Sequence, residues 1–135
     1  MPVFLADTSA WHRSGAVFER WASLSAGREL ATCPPVALEL LYSARSKDDY
    51  LGLRDHLAGF VQLPLDERAS DRAGETQASL AERAQHRGPT PVDLLVAAIA
   101  EVNDAVLLHY DRHFEAIVRV SGQPAEWLAR RGSLD

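Results

Sequence analysis

Four carboxylates occupy positions in the sequence where a charged side chain is uncommon. Each lies within or directly after an apolar run: Asp7 after "VFLA", Glu39 in "VALELLY", Asp93 in "TPVDLLVAAIA" and Asp111 after "AVLLHY". Helix capping is an ordinary explanation for the aspartates, and Thr90 with Asp93 matches a capping box. Glu39 has no cationic residue three or four positions away, so a solvated helix face explains it poorly.

If the fold brings these four acids together, their negative charges favour the binding of a cation. Two unit charges about 4 Å apart repel by about 4 kcal/mol at a surface-like dielectric, so either some acids hold protons or a cation lies among them. A set of oxygen donors without His or Cys favours a hard cation, Mg²⁺ or Mn²⁺. Such ions share phosphate oxygens and activate water, so the pattern indicates a metal site for phosphate chemistry.

Alternating strands and helices would place the acids together. The predicted strands are "VFLA", "ELATC" and "AVLLHY", with "VQLPL" as a short strand or an extended edge. The predicted helices are "AVFERWASLS", "PPVALELLYSAR", "DDYLGLRDHLAGF", "ERASDRAGETQASLAERAQHRG" with a candidate break at Gly74, "TPVDLLVAAIAEVN" and "HFEAIVRV", after which "AEWLAR" closes the chain. This alternation predicts an α/β fold with a short central parallel sheet flanked by helices. Strand ends and helix starts then share one edge of the sheet, where sites form.

Composition narrows the function classes. With 135 residues, 47% of them hydrophobic, we expect a single domain over 1–135 with a real core. The net charge of −5 argues against a broad electrostatic grip on nucleic acid, but not against a local one. The single cysteine, Cys33, excludes an internal disulfide and a cysteine-built zinc site, and we expect a buried thiol. Neither a signal peptide nor a membrane-spanning run is predicted, so a cytoplasmic protein without a membrane partner is expected.

Four motifs carry a resemblance to a known family. They are "FLADTSAW", "PPVALELLYSAR", "TPVDLLVAAIA" and "LLHYDRHFEAI", in that order across essentially the whole chain. Together they resemble the PIN-domain ribonucleases, and specifically the VapC-type toxins of bacterial toxin–antitoxin pairs. The resemblance implies a PIN-like three-layer fold and identifies the family's acidic catalytic and metal-binding residues as Asp7, Glu39, Asp93 and Asp111. Ser9 matches a small hydroxyl residue near the metal, and Thr8 is a weaker candidate beside it.

The same resemblance implies an activity and partners. It implies single-strand-selective RNA cleavage that depends on Mg²⁺ or Mn²⁺, with water attacking phosphorus and a 5′ phosphate left on the product. Asp7, Glu39 and Asp93 would hold one ion, and Asp111 would hold or orient a second ion or the water. Many members have a further Asp where this chain has His113, so one or two ions stay open. A homodimer and a complex with a small antitoxin protein are also implied.

Several residues have two interpretations. Arg112 beside Asp111, and Arg13 after the first turn, are candidates for contact with RNA phosphate, with surface solvation or ion pairing as the alternative. His113 has metal binding or proton transfer as one interpretation and an idle surface residue as the favoured one. His109 is interpreted as a structural residue. Candidate residues of an antitoxin groove are Trp11, Tyr42, Leu53 and Leu57, although packing in the core explains the same helical spacing.

Three other readings of the sequence compete. A haloacid-dehalogenase-like phosphatase needs a second Asp where this chain has Ser9, and a catalytic lysine where the chain offers only Lys47 in a charged turn. A receiver domain needs a lysine at the end of its last strand, and "LLHYD" has none. A degenerate PIN scaffold that only binds a partner is the third, and the intact set of four acids argues against it. The RNA target, the antitoxin and the choice between Mg²⁺ and Mn²⁺ stay open.

Overall fold

A parallel sheet forms the centre of the computed structural model, which describes residues 2–135. Within them the strands are β1 Phe4–Ala6, β2 Leu30–Thr32, β3 Val61–Gln62, β4 Val106–His109 and β5 Ala125–Trp127. The helices are α1 Thr8–Trp11, α2 Phe18–Ala26, α3 Pro34–Tyr42, α4 Lys47–Ala58, α5 Glu67–Glu82, α6 Pro91–Val102 and α7 His113–Ser121, with a 3-10 turn at Ser14–Val17. None of the helices in this described part combines the length and apolar composition needed to cross a membrane.

The strand order creates a crevice at one edge of the sheet. The order is β3-β2-β1-β4-β5, and every neighbouring pair is parallel. After β1 the chain adds β2 and β3 on one side of β1, and it then adds β4 and β5 on the other side. The direction of strand addition therefore reverses between β1 and β4. Such switch points form crevices at the carboxyl ends of the strands. Asp7 directly follows β1 and Asp111 lies two residues after β4, so both border this crevice.

Helices cover both faces of the sheet. Successive strand side chains point to opposite faces, and Leu5 and Leu107 join the core formed with α3 to α7. Their neighbours Ala6 and Leu108 join a second core with Leu24 of α2. The predicted α/β, three-layer fold with a short parallel sheet is therefore confirmed.

The long helix α5 differs from its prediction. No break occurs at Gly74, and the helix runs unbroken from a start that the Asp66 carboxylate caps. Glycine within a helix costs about 1 kcal/mol relative to alanine. Burial of Ala69, Ala73 and Leu80 offsets that cost by packing one face of α5 onto the core.

The C-terminal strand β5 was not predicted. The segment "AEWLAR" supplies it, and β5 pairs in parallel with β4, with Leu107 aligned to Ala125. Leu128, just after the strand, is fully buried in the second core. This pairing brings the C-terminal residues back towards the carboxyl end of β4.

Candidate functional site

Asp7 is a buried carboxylate that caps a short helix. Its side chain is 4% exposed, and its Oδ2 accepts hydrogen bonds from the Ser9 N–H at 3.0 Å and the Ser9 hydroxyl at 2.7 Å. The Ser9 Oγ in turn accepts the Tyr110 N–H at 2.9 Å, which ties α1 to the end of β4. No donor within residues 2–135 bonds to Oδ1, so this oxygen is available to a cation.

The surroundings of Asp7 disfavour its charged form. Burial raises the pKa of Asp7 from 3.8 to about 6, while the hydrogen bonds from Ser9 lower it. The nearby carboxylates of Asp93 and Glu39 raise that pKa further. A proton or a positive ion would stabilise such a group, because it compensates a charge removed from water.

Asp93 and Glu39 reach the same edge from two helices. The Asp93 Oδ2 accepts the Thr90 N–H at 2.9 Å while the Asp93 N–H donates to the Thr90 Oγ1 at 3.1 Å, so the predicted capping box is present. Burial raises the pKa of Asp93, and Asp111 and Glu39 add to the shift. Glu39 is solvent-exposed, and its Oε1 accepts a 2.8 Å hydrogen bond from the Thr8 hydroxyl.

The four predicted acids act on one another electrostatically. Glu39 and Asp93 affect the pKa of Asp7, and Asp111 affects that of Asp93. All the side-chain donors are oxygens, the set that hard divalent cations prefer. As they stand, no three His, Cys, Asp or Glu side chains of residues 2–135 are grouped closely enough to hold a metal ion. The donor chemistry therefore fits a divalent cation, and binding one would require the side chains to draw closer.

Asp111 and His109 have different surroundings at the end of β4. The Asp111 Oδ1 accepts the His113 N–H at 2.9 Å, at the start of α7. His109 is 2% exposed and packs between Phe114 and Trp127, with ring centroids 5.1 and 4.8 Å away. Burial lowers the pKa of His109 to about 4, so this side chain is neutral and structural, as the sequence predicted.

Arginines line a cavity beside the acidic edge. The cavity has a volume of about 430 Å³, and three of its lining residues are Arg13, Arg112 and Arg131. The Arg13 guanidinium lies 4.6 Å from the centre of the Tyr110 ring and 3.8 Å from the Asp135 carboxylate. Arg13 and Arg112 were sequence candidates. Arg131 was missed, because nothing in the sequence indicates that the C-terminal segment folds back against β4.

Most of the predicted groove residues pack inside the protein. Leu57 is 4% exposed, and Leu53 is partly buried against the main core. Trp11 lies edge-on to Trp21, with ring centroids 4.8 Å apart. Core packing therefore explains their helical spacing, and Tyr42 alone of the four candidates is largely exposed, at 85%.

An apolar surface lies next to Glu39. Leu38 and Tyr42 of α3 are 68% and 85% exposed, and Leu65 is 39% exposed. Together with Leu95 and Glu39 they line a groove of about 550 Å³. Contiguous exposed apolar side chains of this kind are typical of an interaction surface.

Cys33 has no chemical role in this arrangement. The residue is 1% exposed, and burial raises the pKa of its thiol to about 12. A thiol in that state is protonated and a poor nucleophile. The predicted buried, structural thiol is confirmed.

Comparisons with a family model, with curated proteins and with solved structures agree with one another. A family model described as "PIN domain" matches residues 4–120. Ribonuclease VapC18 of Mycobacterium tuberculosis is 38% identical over 136 residues, covering 98% of this chain and 99% of that protein. Ribonuclease VapC51 of the same organism is 35% identical, covering 98% and 97%. In fold, the chain resembles DNA-bound VapBC from Salmonella typhimurium, with a TM-score of 0.77, 21% identity, and coverage of 96% of this chain and 100% of that chain.

Proposed function

Since the chain belongs to the PIN-domain family, we propose that it is a metal-dependent endoribonuclease that acts as the toxin of a toxin–antitoxin pair. Relatives that match nearly the whole chain are ribonucleases by name. The observation that carries the proposal is Asp7, a carboxylate at the sheet's switch point whose pKa is raised mainly by burial and further by two other acids. We also propose that 1–135 is one PIN unit, because β5 beyond the matched region pairs with β4.

In this proposal the chain's own residues prepare a site for Mg²⁺ or Mn²⁺. Asp7, Glu39 and Asp93 would hold the first ion, and Asp111 would complete the set or hold a second. When bound, a divalent ion supplies positive charge for phosphate oxygens and a lowered pKa for water. PIN-domain ribonucleases of the VapC type generally depend on divalent metal ions.

Hydroxyl and amide groups position those carboxylates. Ser9 bonds to one oxygen of Asp7 and Thr90 bonds to one oxygen of Asp93, which fixes each side chain. The second oxygen of each carboxylate accepts no hydrogen bond from residues 2–135. Thr8 holds Glu39 towards α1. Positioning groups of this kind keep metal ligands in a productive orientation.

The reaction would be hydrolysis of an RNA phosphodiester. Water attacks the phosphorus, the bond to the 3′ oxygen breaks, and the products carry a 5′ phosphate and a 3′ hydroxyl. Asp111 would orient the water, because it lines the arginine-rich cavity and also acts electrostatically on Asp93. The bound ion and the arginines would supply positive charge next to the cleaved bond, although the net charge of the protein is −5.

A small antitoxin protein is the partner that this function requires. The structural neighbours described as VapBC are toxin–antitoxin assemblies, which supports the same arrangement here. To inhibit the nuclease, an antitoxin has to block the acidic edge or the approach of RNA to it.

We propose that a second copy of the chain covers the apolar surface of Leu38, Tyr42 and Leu65. An active toxin must remain soluble after its antitoxin is lost, and this surface would then be exposed to water. Glu39 lines the same groove, so the partner copy would lie beside the acidic edge. The expected state of the free protein is therefore a homodimer.

Cleavage assays with matched variants test the proposed activity. Asp7→Asn and Asp93→Asn keep side-chain volume and remove one charge each, so we expect both to lose cleavage of single-stranded RNA in Mg²⁺ or Mn²⁺. Asp104→Asn is the control, because Asp104 is exposed at the opposite, amino end of β4. Sequencing of the RNA ends should find 5′ phosphates. Equal cleavage by all three variants and the wild type would contradict the proposal.

A further inference from the structure

Two adjoining cavities line up arginines next to the acidic edge. The first, of about 430 Å³, includes Asp111 and three arginines. The second, of about 480 Å³, shares Arg112 and Arg131 with the first and adds Arg119 from α7. We call the set Arg13, Arg112, Arg119 and Arg131 the arginine track.

Three of the four guanidinium groups of the arginine track are largely available. Arg112 and Arg119 are exposed, and no carboxylate of residues 2–135 forms an ion pair with either of them. Arg131 donates through Nη1 to Glu115 at 2.9 Å, and its side chain is still 55% exposed. Each guanidinium has five N–H donors arranged as a fork that matches a phosphate.

From this arrangement we propose that the arginine track binds the backbone phosphates of single-stranded RNA on the α7 side of the cleavage site. The inference rests on the proposed nuclease function and assigns it a substrate path. The track begins at the cavity that contains Ser9 and Asp111 and continues along α7 into the second cavity. A polyanion that follows it places one phosphate at the acidic edge and successive phosphates at arginines. Local positive charge is what an otherwise acidic protein needs to hold RNA.

Asp135 already pairs with one member of the arginine track. The Asp135 carboxylate lies 3.8 Å from Nη2 of Arg13, and its side chain is 64% exposed. Exposed pairs of this kind contribute little stability, so an RNA phosphate can displace the carboxylate from Arg13. Asp135→Asn is therefore expected to tighten RNA binding.

RNA binding measured without cleavage tests the track. Fluorescence anisotropy would follow a short, labelled single-stranded RNA with the full-length protein in EDTA, over a series of KCl concentrations. Arg112→Gln and Arg119→Gln should each weaken binding and reduce the slope of log affinity against log salt by about 0.7, the value for one phosphate contact on a single strand. Arg54→Gln is the control, because Arg54 is exposed on α4 and lines neither cavity. Thermal melting would establish that all variants fold.

The outcomes separate the track from the nuclease function. If the wild type cleaves RNA in Mn²⁺ but Arg112→Gln and Arg119→Gln bind with unchanged affinity and slope, the track is wrong and the nuclease assignment stands. The same conclusion follows if Arg54→Gln weakens RNA binding as much as Arg112→Gln and Arg119→Gln do, because the effect then reflects overall charge and not the arginine track. If the wild type neither binds nor cleaves RNA, the proposed function fails and the track fails with it.

Discussion

Replacing Asp7 with asparagine removes a buried charge while keeping the side-chain volume. Burial raises the pKa of Asp7 from 3.8 to about 6, so the folded state binds a proton between these pH values that the unfolded chain lacks. Stability contributed by that proton is present at low pH and is lost as pH rises through about 6. Two pKa units correspond to about 3 kcal/mol. In metal-free protein at pH 8, Asp7→Asn should therefore be more stable than the wild type by up to about 3 kcal/mol.

A second buried group titrates in the opposite sense. Burial lowers the pKa of His109 from 6.5 to about 4, so the folded state binds fewer protons than the unfolded chain between these values. Stability from the neutral His109 is present above pH 6.5 and is lost as pH falls towards 4. This contribution is also about 3 kcal/mol and nearly cancels that of Asp7. The Asp7→Asn variant removes the cancellation, so it should lose stability on acidification more steeply than the wild type.

Urea unfolding in EDTA at pH 4, 6 and 8 measures both effects. The free energy of unfolding of Asp7→Asn should exceed that of the wild type at pH 8 and approach it at pH 4. Asp104→Asn should follow the wild type at every pH, because Asp104 is exposed and has a backbone φ of 55° that asparagine tolerates. A variant that is less stable than the wild type at pH 8 would refute the argument and favour capping as the main role of Asp7.

Three further substitutions test the supporting contacts and the apolar surface. Ser9→Ala leaves the Tyr110 N–H without its acceptor and should lower the free energy of unfolding by about 1–3 kcal/mol in urea titrations. Thr8→Val releases Glu39 from its hydroxyl partner, and calorimetry should find Mn²⁺ affinity reduced by 10-fold to 100-fold, as for other groups that position metal ligands. Leu38→Glu puts a charge on the apolar surface and should convert the proposed dimer to a monomer in analytical ultracentrifugation, with an unchanged circular dichroism spectrum.

Elements with a strong local pattern were predictable from the sequence. The run of apolar residues before Asp7 and the capping box at Asp93 are local signals, and both occur as strand end and helix start in the structure. Alternation of strands and helices then gives the parallel sheet and its common edge.

Features that depend on tertiary packing were not predictable. The helix α5 continues through Gly74 because buried neighbours outweigh the local preference of glycine. Strand β5 has only three residues and forms because β4 offers it an edge. Arg131 reaches the cavity for the same reason, as the end of β5 directs the chain back past β4. Contacts between residues that are distant in the sequence are set by the fold, and they leave no periodic pattern in the sequence.

Titration of metal-free protein with Mn²⁺, followed by isothermal calorimetry, tests the central claim most directly. The wild type and Asp104→Asn should bind one or two ions with the same affinity, whereas Asp7→Asn, Glu39→Gln and Asp93→Asn should each bind much more weakly, because each removes one oxygen donor and one charge. The account would be contradicted if the wild type took up no Mn²⁺. It would also be contradicted if Asp7→Asn, Glu39→Gln and Asp93→Asn all bound Mn²⁺ with the affinity of the wild type and Asp104→Asn.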